Sequence, residues 1–231
     1  METSNLVNDS QFGFRVNRSC SDGLRVLNTA IEANKLSNKE TNLLFVDLKA
    51  AYDYVSWSKL ISILTTMKFP KQFINFLTNY YQGDNIVSRA AGLLTNPQFQ
   101  QRGLRQGCNM SSILFIIYMV GLSKRLDRLN CGVKLGKILI SHLFFADDIC
   151  ILATSKTELN LLKTELEQWC LSHEMKISSE KTQVITPNET EIWTINDLRN
   201  NDSFSIRNVN MYQYLGIQQY KSLLQTSDQR A

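Results

Sequence analysis

The sequence predicts a mixed α/β fold, and three observations carry that prediction. Apolar residues recur at helical spacing in several stretches. Short apolar runs of strand length lie between them, so neither pattern fills the chain alone. Two such runs flank Ala146-Asp147-Asp148, a hairpin signal.

The elements follow in order. Ser21 is placed to cap a helix running to about Lys35, with Leu24, Leu27, Ile31 and Asn34 on one face. Leu43 to Leu48 is an apolar run holding one acid, the pattern of a buried strand. Trp57, Leu60, Ile61, Leu64 and Met67 mark a helix that Phe69-Pro70 stops. Phe73, Phe76, Leu77 and Tyr80 mark a second helix, ending near Gly83. Ile86 to Gly103 reads as a hairpin or loop. Ser111 to Asn130 starts apolar on all sides and ends charged, a helix with buried first turns and a wet end. Ile138 to Phe145 and Ile149 to Thr154 are strands. Ser155 and Glu158 form a capping box before Leu159, Leu162, Leu166 and Trp169. Lys176 to Thr186 is a strand pair or extended segment, and Tyr212 to Ile217 a short strand ending in a glycine turn. From Lys221 the polar chain frays.

Composition bounds the function classes. Of 231 residues, 43% are hydrophobic and 20% charged, which excludes a collagen, a charged disordered tail and a mucin-like stalk. Length suggests one large domain or two small ones, and no repeat or linker-like proline cluster divides it. The net charge of +4 permits nucleic-acid binding without demonstrating it. Five cysteines, no CxxC pair and only His142 and His173 argue against a zinc site and for reduced thiols in an intracellular compartment. No signal peptide opens the chain, and the apolar run Ile113 to Leu122 is too short to span a bilayer. The expectation is a soluble intracellular protein with no membrane partner, cytoplasm or nucleus being left open.

The acids carry the chemistry. Asp47 lies in an apolar strand, and Asp147 and Asp148 end another. A buried carboxylate without a partner is costly, and neither strand supplies an Arg or Lys. If the strands are neighbours, their carboxylates converge and call for a cation; hard divalent ions such as Mg²⁺ take such oxygen ligands. Two such ions can clamp the attacking and leaving oxygens of a phosphoryl transfer. The plain alternative is turn chemistry, because Asp is a common turn residue.

The neighbouring segments decide between these. Asp47-Leu48-Lys49-Ala50-Ala51-Tyr52-Asp53, then Gly103-Leu104-Arg105-Gln106-Gly107-Cys108-Asn109-Met110-Ser111, then Phe145-Ala146-Asp147-Asp148, then Lys176 to Thr182, precede Tyr214-Leu215-Gly216. In this order they resemble reverse-transcriptase motifs A, B, C and D and the primer-grip motif E. Gln11-Phe12-Gly13-Phe14-Arg15 to Asp22 resembles the fingers motif upstream. The likeness, to non-LTR (LINE-type) retrotransposon enzymes, covers about residues 11 to 217.

The resemblance implies an α/β polymerase palm: a ferredoxin-like antiparallel sheet with helices on one face and partial fingers. Its division would be partial fingers at 1–42, palm at 43–217 with a fingers insertion near 60–100, and a frayed tail at 218–231. It implies an RNA-directed DNA polymerase whose partners are an RNA template, a DNA primer and dNTPs. Asp47, Asp147 and Asp148 would hold two Mg²⁺ ions, Mn²⁺ being an alternative. Tyr52 would crowd the sugar 2′ position, its alternative being a core aromatic. Gln106 and Gly107 would border the nucleotide. Lys181 would donate a proton to pyrophosphate, its alternative being a surface lysine. Arg15, Arg18 and Arg105 would contact template or triphosphate, a solvated loop being equally open for Arg105. Tyr214, Leu215 and Gly216 would support the primer end. Asp53 reads as a helix cap or salt-bridge partner, and His142 and Trp169 as structural.

Phe145, Ser112 and Asn109-Met110 depart from the family pattern, which usually has Tyr, Pro and Pro-Leu there. Upstream fingers strands, thumb and endonuclease segments of a longer polyprotein are also expected to be missing. Two alternatives follow: a truncated, catalytically inactive retroelement remnant, and a ferredoxin-like RNA-binding module. A nucleotide cyclase palm is disfavoured, because no Gly-Gly-acid motif replaces the hairpin acids.

Overall fold

The computed structural model describes residues 6–82, 85–86, 89–90, 93–94, 96, 98–187 and 193–224. Five α-helices are described: α1 (Cys20–Leu36), α2 (Trp57–Thr66), α3 (Lys71–Tyr81), α4 (Asn109–Arg128) and α5 (Lys156–His173). The strands before α4 are β1 (Asn42–Asp47), β2 (Asn85–Ile86), β3 (Arg89–Ala90), β4 (Leu93–Leu94) and β5 (Gln98–Phe99). Between α4 and α5 come β6 (Val133–Leu135), β7 (Ile138–Ile140), β8 (His142–Phe145) and β9 (Asp148–Ala153). After α5 come β10 (Gln183–Ile185), β11 (Trp193–Asp197), β12 (Asp202–Asn208), β13 (Met211–Tyr214) and β14 (Ile217–Tyr220).

The main sheet runs β11-β12-β10-β1-β9-β8. Its centre is antiparallel as expected, but β10 and β12 pair in parallel, so the sheet is mixed. Period-two alternation sends the side chains of each strand to opposite faces. Leu44, Val46, Ile149 and Ile151 pack with Phe115, Tyr118, Leu162, Leu166 and Trp169 of α4 and α5. Leu43, Phe45, Cys150 and Leu152 pack with Leu24, Leu27 and Ile31 of α1. Helices therefore cover both faces, not one as expected, because these strands are apolar on both sides.

Several local expectations are corrected. Ser19, not Ser21, caps α1, in a reciprocal capping box with Asp22. Ser155 accepts from the Glu158 N–H, while the Glu158 carboxylate takes the N–H and hydroxyl of Thr154 instead of closing the box. Ile138 to Phe145 is two strands: β7 pairs with β6 in its own hairpin, and β8 joins the main sheet. In Lys176 to Thr186 the only ladder strand is β10. The segment from Ile86 to Gly103 makes the short pairs β2–β5 and β3–β4. Gly83, the expected end of α3, and Pro97 lie outside the described residues. The chain expected to fray from Lys221 makes a 3₁₀ turn with Leu224 buried; residues 225–231 lie outside the described residues.

Strands β11 and β12 have no counterpart in the expectations. A buried ion pair ties them down: Lys163 Nζ lies 2.8 Å from Glu167 Oε1 on α5. The same carboxylate accepts from the N–H and Nδ2 of Asn196 on β11. His142 is structural, as expected. Its Nε2 lies 2.7 Å from Ser123 Oγ and its Nδ1 2.8 Å from Ser141 Oγ. Burial pushes its pKa down to about 3, so the ring is neutral. Trp169 is buried and stacks on His173.

Leu44 is fully buried between the sheet and the α4–α5 layer. Leu44→Ala is expected to cost about 2–5 kcal/mol in urea unfolding, the range for large-to-small core changes. A loss well under 1 kcal/mol would mean that this layer is not packed as described.

Candidate active site

The acids meet at one end of the central strands. Asp47 closes β1, Asp148 opens β9, and the two are direct register partners. Asp147 sits in the β8–β9 turn after Ala146, whose φ of 59° is left-handed. Asp47 and Asp147 line one cavity of about 450 Å³ together with Lys49, Lys176 and Lys181. Partial burial, reinforced by Asp47 and opposed by a backbone hydrogen bond and Lys181, raises the Asp147 carboxyl above its ordinary range. Asp148 keeps an exposed edge, and partial burial of its carboxyl, then Asp147 and Asp47, shifts it the same way.

The segment before β10 brings Lys181 to the acids. Leu48 bridges Ile177, the Lys49 N–H donates to the Lys176 carbonyl, and the Ser178 N–H donates to the Asp47 carbonyl. Thr182 Oγ1 accepts from the Asp47 N–H at 3.3 Å. Lys181 Nζ then lies 3.4 Å from Asp47 Oδ1. Its side chain is mostly exposed, so the pair adds little stability and stays free to exchange partners. Among the described residues, no three acidic, histidine or cysteine side chains group tightly enough to hold a metal ion.

A second cavity, of about 300 Å³, is lined by Tyr52, Gln106, Gly107, Cys108, Asn109, Ser111 and Ser112. Backbone bonds assemble it. The Gly103 N–H donates to the Val55 carbonyl at 2.8 Å, and the Leu104 N–H to the Tyr52 carbonyl at 2.9 Å. Gly107 has a φ of 79°, which favours glycine even though a Cβ would meet nothing there. Gln106 Nε2 donates to Asp53 Oδ1 at 3.3 Å, so Asp53 holds the loop and Ser56 takes the α2 N-cap position. The Tyr52 ring stacks on Phe115 at 4.8 Å, with its hydroxyl 3.5 Å from Ser112 Oγ. Burial raises its phenol, and Asp147 adds to that shift, so phenol and carboxylate lie within electrostatic reach.

The β13–β14 hairpin lies beneath the acids, on the α1 side of the sheet. Tyr214 is buried, its ring 5.3 Å from Phe45, and its hydroxyl donates to the Leu143 carbonyl at 3.5 Å. Leu215 and Gly216 form the turn, with φ of 49° and 82°. Tyr212 was not singled out from sequence, yet it stacks on Phe45 at 4.3 Å. Burial, then the charges of Asp148 and Asp47, pushes its phenol up to about 12. Its alternation with Tyr214 was the available signal.

The three arginines are engaged elsewhere. Arg15 Nη1 donates to the carbonyls of Asn8 and Gln11. Arg18 pairs with Asp9 and lies over the Phe12 ring. Arg105 lies over the Tyr80 ring at 4.0 Å and donates to the Tyr80 carbonyl.

The family profile described as Reverse transcriptase (RNA-dependent DNA polymerase) matches residues 1–219. This chain belongs to the reverse-transcriptase family. Its relatives include the Pol polyprotein of retrotransposable element R2DM from Drosophila melanogaster, 23% identical over 74% of this chain and 16% of that protein. The corresponding R2 polyprotein of Nasonia vitripennis is 27% identical over 70% of this chain and 16% of its own length. Drosophila transposon X-element encodes a probable RNA-directed DNA polymerase, 26% identical over 68% of this chain and 16% of that protein. The chain thus spans about one sixth of these relatives. Apo telomerase from Candida tropicalis shares the fold, with a TM-score of 0.63 at 14% identity, over 96% of this chain and 38% of that one. No helix among the described residues of this reverse-transcriptase domain is long and apolar enough to cross a membrane.

The raised carboxyls make a pH prediction. An acid whose folded pKa lies above its unfolded value binds its proton more tightly in the fold, so its contribution to stability is lost as pH rises through that interval. In EDTA, the contribution of these two acids to stability should therefore fall as pH rises above 3.8, the ordinary aspartic value. Asp147→Asn should lessen the fall, gaining on the wild type between about pH 4 and about pH 7 in urea unfolding. A gain that is the same at both pH values would remove the proposed repulsion.

Proposed function

We propose that this domain extends a DNA primer on an RNA template. The single observation that carries this reading is the convergence of Asp47, Asp147 and Asp148 at one sheet end in a chain of this family. The donor chemistry suits hard divalent cations, being all carboxylate oxygen, and a bound ion would have to draw together acids that, among the described residues, are not grouped tightly enough to hold one. Asp47 and Asp147 would be the main ligands of Mg²⁺ or Mn²⁺, with Asp148 supporting. When bound, two such ions lower the pKa of the primer 3′-hydroxyl and offset charge developing at the α-phosphate.

The chain's own residues supply the rest. The primer 3′-hydroxyl gives up its proton to solvent water, and its oxygen bonds to the α-phosphorus as the α–β phosphoanhydride bond breaks and pyrophosphate leaves. Lys181 is exposed and mobile enough to hand a proton to that pyrophosphate. Tyr52, held flat on Phe115, fills the space a ribose 2′-hydroxyl would need. Gln106 and Gly107 border the nucleotide, glycine letting the backbone come close. The turn at Leu215-Gly216, anchored by buried Tyr214, supports the primer end. Arg15, Arg18 and Arg105 would have to exchange their present bonds to reach template or triphosphate. The sheet around β1 and β9 is covered on both faces, leaving no open aromatic surface of the kind an RNA-stacking sheet uses.

Primer extension on an RNA template with dNTPs and Mg²⁺ tests this directly. Asp147→Ala is expected to lower the rate at least about a hundredfold, the scale seen when one transition-state electrostatic contact is removed. Folded wild type with no extension would leave an inactive remnant as the better reading. In the active enzyme, Tyr52→Ala should raise rNTP incorporation relative to dNTP. Unchanged discrimination would make Tyr52 a core aromatic only.

A further inference from the structure

The turn carrying Asp147 is not held by its own strands alone. Residues before α1 run beside β8 and bond to it: the Phe12 N–H donates to the Phe144 carbonyl, and the Phe144 N–H donates to the Ser10 carbonyl, each at 2.8 Å. Gln11 and Phe144 form a parallel bridge. The side chain of Gln11 is 2% exposed, an unusual place for an amide. Its Oε1 accepts two N–H groups, that of Gly13 at 2.9 Å and that of Ala146 at 3.1 Å. Ala146 is the left-handed residue immediately before Asp147. A non-glycine residue holds that conformation only when its surroundings impose it.

Gly13 completes the contact. A Cβ at Gly13 would lie 2.5 Å from the Ala146 nitrogen, so the two backbones meet at a distance that only glycine permits. Arg15 braces the same segment from behind, through the Gln11 and Asn8 carbonyls.

We propose that Gln11 is a positioning residue: its amide oxygen, with Gly13 packed against the turn, holds Ala146 left-handed and so aims Asp147 toward Asp47. The consequence for nucleotidyl transfer rests on the polymerase reading above, whereas the clamp itself does not.

The test compares wild type with Gln11→Met, which keeps the length but removes the acceptor, and Gln11→Glu, which keeps an acceptor oxygen at the same reach. Amide hydrogen exchange is followed at Ala146, with Leu44 and Ile151 as controls for the fold. Binding of Mn²⁺ is followed by the EPR signal of the free ion. The expected result in Gln11→Met is exchange at Ala146 at least tenfold faster, unchanged control amides and Mn²⁺ affinity weakened several-fold. Gln11→Glu should restore protection at Ala146. Should Gln11→Met fail to fold, Gln11→Asn, one methylene too short, is read in the same way. Wild-type exchange at Ala146 in a folded Gln11→Met overturns the clamp. Released Ala146 with wild-type Mn²⁺ affinity overturns the link to Asp147. Wild type that binds no Mn²⁺ overturns the metal reading instead, and the clamp is then judged on Ala146 alone.

Discussion

The antiparallel register of β1 against β9 sets both the core and the site. Pairing Leu44 with Ile151 and Phe45 with Cys150 alternates the two strands between the α4–α5 layer and the α1 layer. The same ladder ends with Asp47 opposite Asp148. A slip of one residue would turn every side chain of the slipped strand to the other face and break the pairing of Asp47 with Asp148. Both faces are apolar and covered, so a slip would exchange the two sets and break the side-chain packing of each against its own layer. The hydrophobic layers thus hold together carboxylates that would otherwise repel.

That repulsion is a cost the fold retains. Burial and mutual charge lift Asp147 and Asp148, and Lys181, at 3.4 Å from Asp47, is too exposed to offset much of it. Carboxyl groups shifted by burial and by like charges cluster at functional sites, where a stable scaffold holds them. Here the scaffold is redundant. Backbone bonds from the β10 segment hold Asp47, the Ser10–Gly13 segment holds the Asp147 turn, and the Gly103–Leu104 bonds hold Tyr52 beside its cavity. Each support comes from a part of the chain distant in sequence, and each bonds to the backbone it holds, Gln11 and Thr182 doing so through side-chain oxygens.

Elements with strong periodicity were legible from the residues. The stripe Leu159, Leu162, Leu166 and Trp169 is wholly buried on α5, and the apolar start of α4 is enclosed as its composition implied. Boundaries set by local hydrogen bonding were less so. Ser19 and Ser21 are equivalent by residue type, and the Asp22 side chain chooses between them. Strands β11 and β12 carry a clear period-two signal, Trp193-Thr194-Ile195-Asn196 and Ser203-Phe204-Ser205-Ile206-Arg207, but their tie to α5 through Glu167 is a long-range contact that no local pattern shows. The continuous apolar runs of β1 and β9 signal burial on both faces, but they do not say that α1 supplies the second cover.

By itself the sequence determined where the acids lie in the strand pattern, their order along the chain and the family to which the chain belongs. Those properties reside in residue identity and spacing, which no folding step alters. The tertiary structure alone decided that Arg15 bonds to the Gln11 carbonyl, that Tyr212 stacks on Phe45, and that Gln11 meets the Ala146 N–H. These are long-range partnerships of groups able to bond in many ways. A guanidinium or an amide has several equivalent partners by chemistry, and packing selects one of them.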